Sequence, residues 1–461
     1  MIDGLKPYPD YKDSGVSWLR EIPANWNVRR MKLLLRELDL RSSSGKEQLL
    51  RVSQYTGVTQ RKATDGSGTP DTRAKSLVGY KRVAPDDLVI NIMLAWNGSM
   101  GVSRFEGIVS PAYCVYRFKE GARPWYYHEL LRLPAYKGRI KTASTGVVES
   151  RLRLYSDDLG RIEAIQPPLD DQDAIVRFID QVAGRIDRAI RAKKKLVSLL
   201  NEQKQAIIHS AVTRGLNPTV PLKPSGVPWL GDIPKHWEVL RCGNLFSEVV
   251  DTGHSSAQLL SIDRFKGVML QSDTGRRTRA SEDRSSYKRV RPGQLAYNLM
   301  NAFMGALGFS TLDGIVSPAY AVAQPRRTIE PLYFHHLLRT TAYTGEFNRQ
   351  SYGIMYERNR LYFERFKLVP ALVPPLDEQR QIVHSIEEKT ASSSVALARA
   401  YREIDLLREY RTRVIADVVT GKLDVREAAR KLPDTAKEVT QEIEELTDVE
   451  PEDAEPEDVE A

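Results

Sequence analysis

Two cysteines, Cys114 and Cys242, are all that the 461 residues contain, too few for a disulfide framework or a cysteine-built metal site. The seven histidines are scattered without ligand spacing. The single adjacent pair, His335 and His336, cannot face one site from a helix. No apolar run reaches membrane-spanning length, and the opening stretch has no apolar signal core, so the expected location is the cytoplasm, with no membrane partner. Catalytic parts are missing too. Thr420-Gly421-Lys422-Leu423 lacks the upstream glycine of a phosphate loop, and no glycine-rich cofactor turn links a strand to a helix. Asn217-Pro218-Thr219-Val220 is not the Asn/Asp-Pro-Pro-aromatic loop of an amino-group methyltransferase. Pro70-Asp71 and Pro85-Asp86 have no downstream Glu-x-Lys to complete a nuclease metal site. The expectation is a chain that catalyses nothing and binds no metal or cofactor of its own.

What is present is a duplication. Pro167-Pro168-Leu169-Asp170-Asp171-Gln172 returns as Pro374-Pro375-Leu376-Asp377-Glu378-Gln379, at an offset of 207. At the same offset, Tyr80-Lys81-Arg82-Val83 returns as Tyr287-Lys288-Arg289-Val290, and Gly107-Ile108-Val109-Ser110-Pro111-Ala112-Tyr113 returns unchanged from Gly314 to Tyr320. The lead-in also recurs, Trp18, Ile22, Pro23 and Trp26 matching Trp229, Ile233, Pro234 and Trp237 at an offset of 211. The first copy therefore holds four extra residues, expected in the polar loop 41–75. The tryptophans are read as anchors that pack the lead-in onto its domain.

The repeats divide the chain into a lead-in (1–26), a first globular domain (27–166), a central long helix (167–216), a linker repeating the lead-in (217–237), a second globular domain (238–373), a C-terminal long helix (374–424) and an acidic tail (425–461). The tail begins with a helical remnant at 425–433 and is expected to be disordered at its end. Runs such as 87–92 and 113–118 read as strands, and 125–138 reads as a helix stopped by Pro134, giving mixed α/β domains. Asp170 is placed as the N-cap of the central helix. Its largely apolar seam positions alternate three and four apart: Val176, Ile179, Ala183, Ile186, Ile190, Lys193, Val197, Leu200, Lys204, Ile207 and Ala211. In the C-terminal helix Val383, Ile386, Thr390, Ser393, Leu397, Ala400, Ile404, Leu407, Arg411, Val414 and Val418 do the same. The fold class expected is α/β, two mixed domains related by a pseudo-twofold and separated by a long antiparallel two-helix coiled coil. Thr390 and Ser393 are expected to weaken the second seam and leave room for a partner's helices.

The net charge of +8 conceals a division. Residues 434–461 carry 13 acids against one lysine, which leaves +20 on residues 1–433. A basic body fits a polyanionic partner, although charge alone does not distinguish it from a basic surface that binds nothing.

This assembly resembles the specificity subunit of Type I restriction–modification enzymes. The resemblance is carried by the Tyr-Lys-Arg-Val to Gly-Ile-Val-Ser-Pro-Ala-Tyr block, by Pro-Pro-Leu-Asp-Asp/Glu-Gln at each helix start, and by Val419-Thr420-Gly421-Lys422. It spans residues 10–425 and occurs in both copies. Two departures stand out: Gln294 replaces Asp87, and Gly215 stands opposite Lys422. The acidic tail is outside the pattern. The resemblance implies two target-recognition domains, each reading half of a bipartite double-stranded DNA site, and helices that recruit two methyltransferase subunits. S-adenosylmethionine, ATP and Mg²⁺ would be held by partners, a restriction–translocase subunit among them, in a system of phage defence.

Base reading needs Arg, Lys, Asn or Gln on exposed loops. The first domain offers Gln60, Arg61, Lys62, Arg73 and Lys75; the second offers Arg264, Lys266, Arg276, Arg277 and Arg279. Each is either a base contact or a solvated loop charge. Lys81, Arg82, Lys288 and Arg289 recur and are assigned to phosphate positioning or fold support. Arg151 and Arg358, beside Ser144-Thr145-Gly146 and Ser351-Tyr352-Gly353, are further candidates. The coiled-coil and methyltransferase interface is placed on Ile179, Ile186, Ile190, Val197, Leu200, Ile207, Ile386, Leu397, Ile404, Leu407 and Val414. Two other readings stay open: a coiled-coil scaffold that binds protein and not DNA, and a nuclease or methyltransferase with unrecognised motifs.

Overall fold

The computed structural model describes residues 5–61, 74, 76–148, 151–264, 266–274, 283–353 and 359–432. It contains two similarly built mixed α/β domains linked by two long helices that make extensive contacts. The compact units are not the sequence repeats. One joins Met1–Ala192 to Glu403–Ala461, and the other is the continuous stretch Lys193–Arg402. Each unit thus holds one domain, the first half of the helix that follows it, and the last half of the other helix.

In the first unit, the strands Leu35–Leu38, Tyr113–Phe118, Leu88–Asn91 and Met100–Val102 form a four-stranded antiparallel sheet in that order. The second unit repeats it with Phe246–Glu248, Tyr320–Pro325, Leu295–Asn298 and Leu307–Phe309. Leu88, Val89 and Ile90 are all buried, because helices pack on one face and a second small apolar cluster fills the other. A hairpin lies beside each sheet, Leu50–Ser53 with Gly57–Gln60 and Leu260–Asp263 with Gly267–Leu270. Its offset is 210, so one extra residue of the first copy precedes the hairpin. The other three lie between it and Tyr80, largely outside the described residues.

The expected helix at 125–138 is two helices, Pro124–Leu131 and Pro134–Ala143. Pro134 stops the first and also opens the second, since a proline in the first turn loses no helical hydrogen bond. The long helices run Leu169–Arg214 and Leu376–Val419. The central one begins one residue before Asp170, so Asp170 and Asp171 sit in its first turn, where the positive end of the helix dipole favours them, and Asp170 is not the cap.

Within the first unit, Ile175, Phe178, Ile179 and Ala183 share a core with Val414, Ile415, Val418 and Val419. Asp187 meets Arg411 at 3.3 Å. Within the second, Ile208, Ala211 and Val212 pack with Ile382, Val383 and Ile386, and Lys204 donates to Ser394 Oγ at 3.1 Å. In each unit the two half-helices therefore run antiparallel. The heptad places Ile179, Ile186, Ile190, Ile386, Leu397, Ile404 and Val414 in buried positions, whereas Val197, Leu200, Ile207 and Leu407 are only half buried. Thr390 and Ser393, expected to leave an opening, are buried, because short polar side chains let the helices approach closely.

The helix ends rest on the lead-ins. Gly421 and Gly215 are left-handed, with φ of +78° and +75°. A Cβ on Gly421 would lie 2.6 Å from Pro23 and 2.8 Å from Trp26; one on Gly215 would meet Trp237 at 3.3 Å. Gly215 is thus the counterpart of Gly421, not of Lys422, and that apparent departure reflects a one-residue shift of the repeat offset at the helix ends. Trp26 and Trp237 are completely buried, each worth about 3 kcal/mol of apolar burial or more. In the first unit the lead-in closes on the chain's last described segment. Tyr11 Oη donates to Gly421 O at 3.0 Å, Lys6 bridges to Asp424, and the short helix Arg426–Arg430 buries Ala429 in the same core.

Candidate nucleic-acid interface

The recurrent basic residues are tied into the frame. Arg82 pairs with Glu106 at 3.6 Å, and its counterpart Arg289 makes a two-pronged pair with Asp313 at 2.9 and 3.0 Å. The Asp313 hydrogen bonds hold the Arg289 guanidinium above its ordinary pKa. Lys288 donates to Tyr320 O at 2.8 Å, and Lys81 is buried with its amine 4.0 Å from Asp39. These four residues brace the strand pairs Lys81–Val83 with Gly107–Val109 and Lys288–Val290 with Gly314–Val316. Of the two roles assigned to them, the geometry favours fold support.

The Asp87 departure is a matched replacement. Asp87 caps Ala84 N–H at 2.9 Å and takes two bonds from Arg117 at 2.8 and 2.9 Å. Gln294 caps Arg291 N–H in the same way at 2.8 Å, and at the offset of 207 Gln324 stands where Arg117 would be. An ion pair between a buried aspartate and a half-exposed arginine in one unit is a neutral pair of positions in the other.

The candidate readers fall in three groups. Gln60 is exposed at the end of its strand, and Arg61 follows it half buried, its N–H on Leu49 O at 2.9 Å. Arg264 and Lys266 lie in the tip of the second unit's hairpin, and Lys266 N–H donates to Asp263 Oδ1 at 2.8 Å. Arg151 is exposed at the base of the loop that closes through the Thr145–Arg153 bridge. Lys62, Arg73, Lys75, Arg276, Arg277, Arg279 and Arg358 lie outside the described residues.

Aligning the hairpins at 210 places Gln54, Tyr55 and Thr56 opposite Arg264, Phe265 and Lys266. That first tip carries no basic residue, and its Tyr55 is 67% exposed. Beside it stand Trp96, with the Lys141 ammonium 5.5 Å from its ring, and Lys137, whose pKa is lowered by burial and by Arg132.

Matching helices of the two domains carry half-buried titratable groups near a long helix. The helix Pro124–Leu131 presents Glu129 toward Arg411, and burial raises its carboxyl pKa. In the second unit His336 occupies that place, near Lys204, with burial pushing it down to about 4. His335 turns elsewhere, toward Arg339 and the hairpin, and burial lowers it to about 3. The adjacent histidines therefore do face different surroundings. Among the described residues no cluster of His, Cys, Asp and Glu could hold a metal ion, and no helix is long and apolar enough to cross a membrane.

No family model and no curated protein matches the chain. Solved structures do. A chain from a structure on the complex assembly and conformational transition of the type I R-M system aligns at 16% identity and a TM-score of 0.57, covering 87% of this chain and 99% of that one. The HsdS subunit from Thermoanaerobacter tengcongensis aligns at 16% identity over 87% of this chain and 98% of its own, with a TM-score of 0.40. The Type-I restriction-modification system S subunit from M. genitalium aligns at 12% identity over 86% of this chain and 96% of its own, with a TM-score of 0.34. The first of these establishes a shared fold across nearly the whole of both chains.

Proposed function

We propose that this chain is the DNA sequence-specificity subunit of a Type I restriction–modification complex. Each mixed α/β domain reads one half of a bipartite site in double-stranded DNA. The paired helices space the two readers in a pseudo-twofold arrangement and recruit two methyltransferase subunits, with which a restriction–translocase subunit assembles. S-adenosylmethionine, ATP and Mg²⁺ belong to those partners, and this chain recognises and scaffolds without reacting.

One observation carries the reading. The two domains share their strand order and hairpin frame while the exposed hairpin tips differ in sequence, as two readers of unlike half-sites require. The shared fold with a chain of the type I R-M system supports it. The helices also present large apolar side chains to solvent, among them Leu199, Val395, Tyr401 and Leu406, which suits a docking face for other subunits. The test is exchange of residues 238–373 for the corresponding domain of another such subunit. One half of the methylated site should change and the other should stay. If both halves change, or neither does, one domain does not read one half-site.

A further inference from the structure

The hairpin beside each sheet is held in an unusual way. In the first unit, Arg132 points into the hairpin turn and donates to its backbone carbonyls. Its Nη2 donates to Gln54 O at 3.0 Å and Tyr55 O at 2.6 Å, and its Nη1 to Met100 O at 2.7 Å and Gly98 O at 3.3 Å. A guanidinium offers five donors in one plane, so a single side chain gathers the carbonyls of the hairpin tip and of the neighbouring loop. Those carbonyls face inward, and the side chain of Tyr55 projects into solvent. Burial lowers the Arg132 pKa against the opposing charge of Glu129, while the guanidinium's hydrogen bonds go to backbone acceptors.

Beneath the tip, Gly57 is left-handed at +76° and lies against Gly101, where a Cβ on Gly101 would come within 3.0 Å of Gly57 Cα. His128 Nδ1 accepts Val102 N–H at 3.0 Å, which keeps its ring neutral on that side and packs it under the same turn. The second unit repeats the glycine pair, the histidine and the arginine: Gly267 at +79°, Gly308, His335 and Arg339, whose Nη2 donates to Arg264 O while its Nη1 meets His335 Nε2 at 2.8 Å. The frame is duplicated and the tip is not. Gln54-Tyr55-Thr56 occupies it in one unit and Arg264-Phe265-Lys266 in the other.

We infer that the hairpin tip is the specificity-determining finger of each domain, and that Arg132 and Arg339 are positioning residues that fix its reach into the DNA groove. Gln54 in one unit and Arg264 in the other offer the amide and guanidinium groups that pair with base edges. Tyr55 packs on the adjacent sugar–phosphate backbone. A reader must hold its contact atoms to within a fraction of an ångström, and a turn of three residues cannot do so unaided. The clamp supplies that rigidity from below, where it leaves the tip's side chains available. This inference rests on the DNA-reading proposal above.

The experiment is selection of a random double-stranded DNA library by the full-length chain, with total binding to non-selected DNA measured in parallel at two salt concentrations. Gln54→Ala is expected to reduce preference at one or two positions of a single half-site by about 5- to 150-fold, the range of one lost bidentate contact. Arg132→Lys keeps the charge but loses the fork, and should blur the same half-site while total binding and thermal stability change little. Arg339→Lys should blur the opposite half. A motif unchanged in Gln54→Ala and Tyr55→Ala, with wild-type enrichment intact, overturns the finger. A wild-type chain that enriches no sequence and shows no salt dependence overturns DNA reading itself. If Arg132→Lys unfolds, the substitutions of half-buried Gln54 and exposed Tyr55 still decide the matter.

Discussion

The replacement of Asp87 and Arg117 in one unit by Gln294 and Gln324 in the other sets up a double-mutant cycle whose answer the protein already contains. The Asp87 side chain is 2% exposed and the Arg117 side chain 44%. Arg117→Gln removes both bonds to a carboxylate that stays buried, retaining only the Ala84 N–H. Losing one partner of a buried pair costs about 3–5 kcal/mol, and the half-exposed arginine reduces this to about 2–4. Asp87→Gln keeps the backbone cap, as Gln294 does, and lets Arg117 turn to solvent, at about 1 kcal/mol. The double variant should fall within about 1 kcal/mol of wild type, a coupling of about 2 kcal/mol or more where neighbours interact. Urea unfolding followed by tryptophan fluorescence measures it, with the second unit's transition as internal reference. A double variant as unstable as Arg117→Gln alone would refute the claim that the two substitutions compensate each other.

Three further outcomes follow from comparing the units. Asp171 is buried and accepts Trp26 Nε1–H at 2.9 Å and Tyr8 Oη–H at 3.3 Å, whereas its counterpart Glu378 pairs with the more exposed His236 at 2.7 Å. Asp171→Ala should therefore cost about 2–5 kcal/mol, two buried donors being left unsatisfied, and Glu378→Ala under about 1, both read by urea unfolding. His335 and His336 are held below 6.5, near about 3 and about 4, so the unfolded chain binds protons that the folded unit refuses. The second unit's stability should be intact above about pH 6.5 and decline as the pH falls toward about 4, by at most about 1.4 kcal/mol per pH unit per ring. His336→Gln should flatten that decline in pH-dependent melting. Leu397→Asp, at a buried seam position, should disrupt the helix pair more than Leu200→Asp at a half-buried one. Limited proteolysis within the long helices compares them, and equal protection of the two variants would contradict the seam.

Much of this architecture could be read before any coordinates. The strand at 113–118 falls where its alternating aromatic and β-branched residues place it, and the three–four spacing marks both long helices, although the C-terminal one ends at Val419, five residues before the expected 424. The periodicity of a helix shows which face needs burial, however, and not which segment will bury it. Nothing local marks the joining of residues 403–419 to the first domain. The clamp was equally hidden. An arginine in a short helix reads as a solvated charge, and its carbonyl acceptors come from turns 30 to 80 residues away. Only the repeat of His128-x-x-x-Arg132 as His335-x-x-x-Arg339 carried a trace of it. Lys81 and Arg82 were readable as frame or contact, and the choice depended on acids such as Glu106, which are distant in sequence and adjacent in space.

The interleaved make-up of the units bears on the order in which the protein can be completed during synthesis. The second unit is one uninterrupted stretch and has every part it needs once residue 402 has left the ribosome. The first starts earlier and finishes later. Its sheet emerges early, but Ile175, Phe178 and Ile179 stay uncovered until Val414, Val418 and Val419 are made. The half translated first is therefore the half that waits with sticky surface showing, and a pause or truncation before residue 403 would leave that half, not its twin, for chaperones and proteases to deal with.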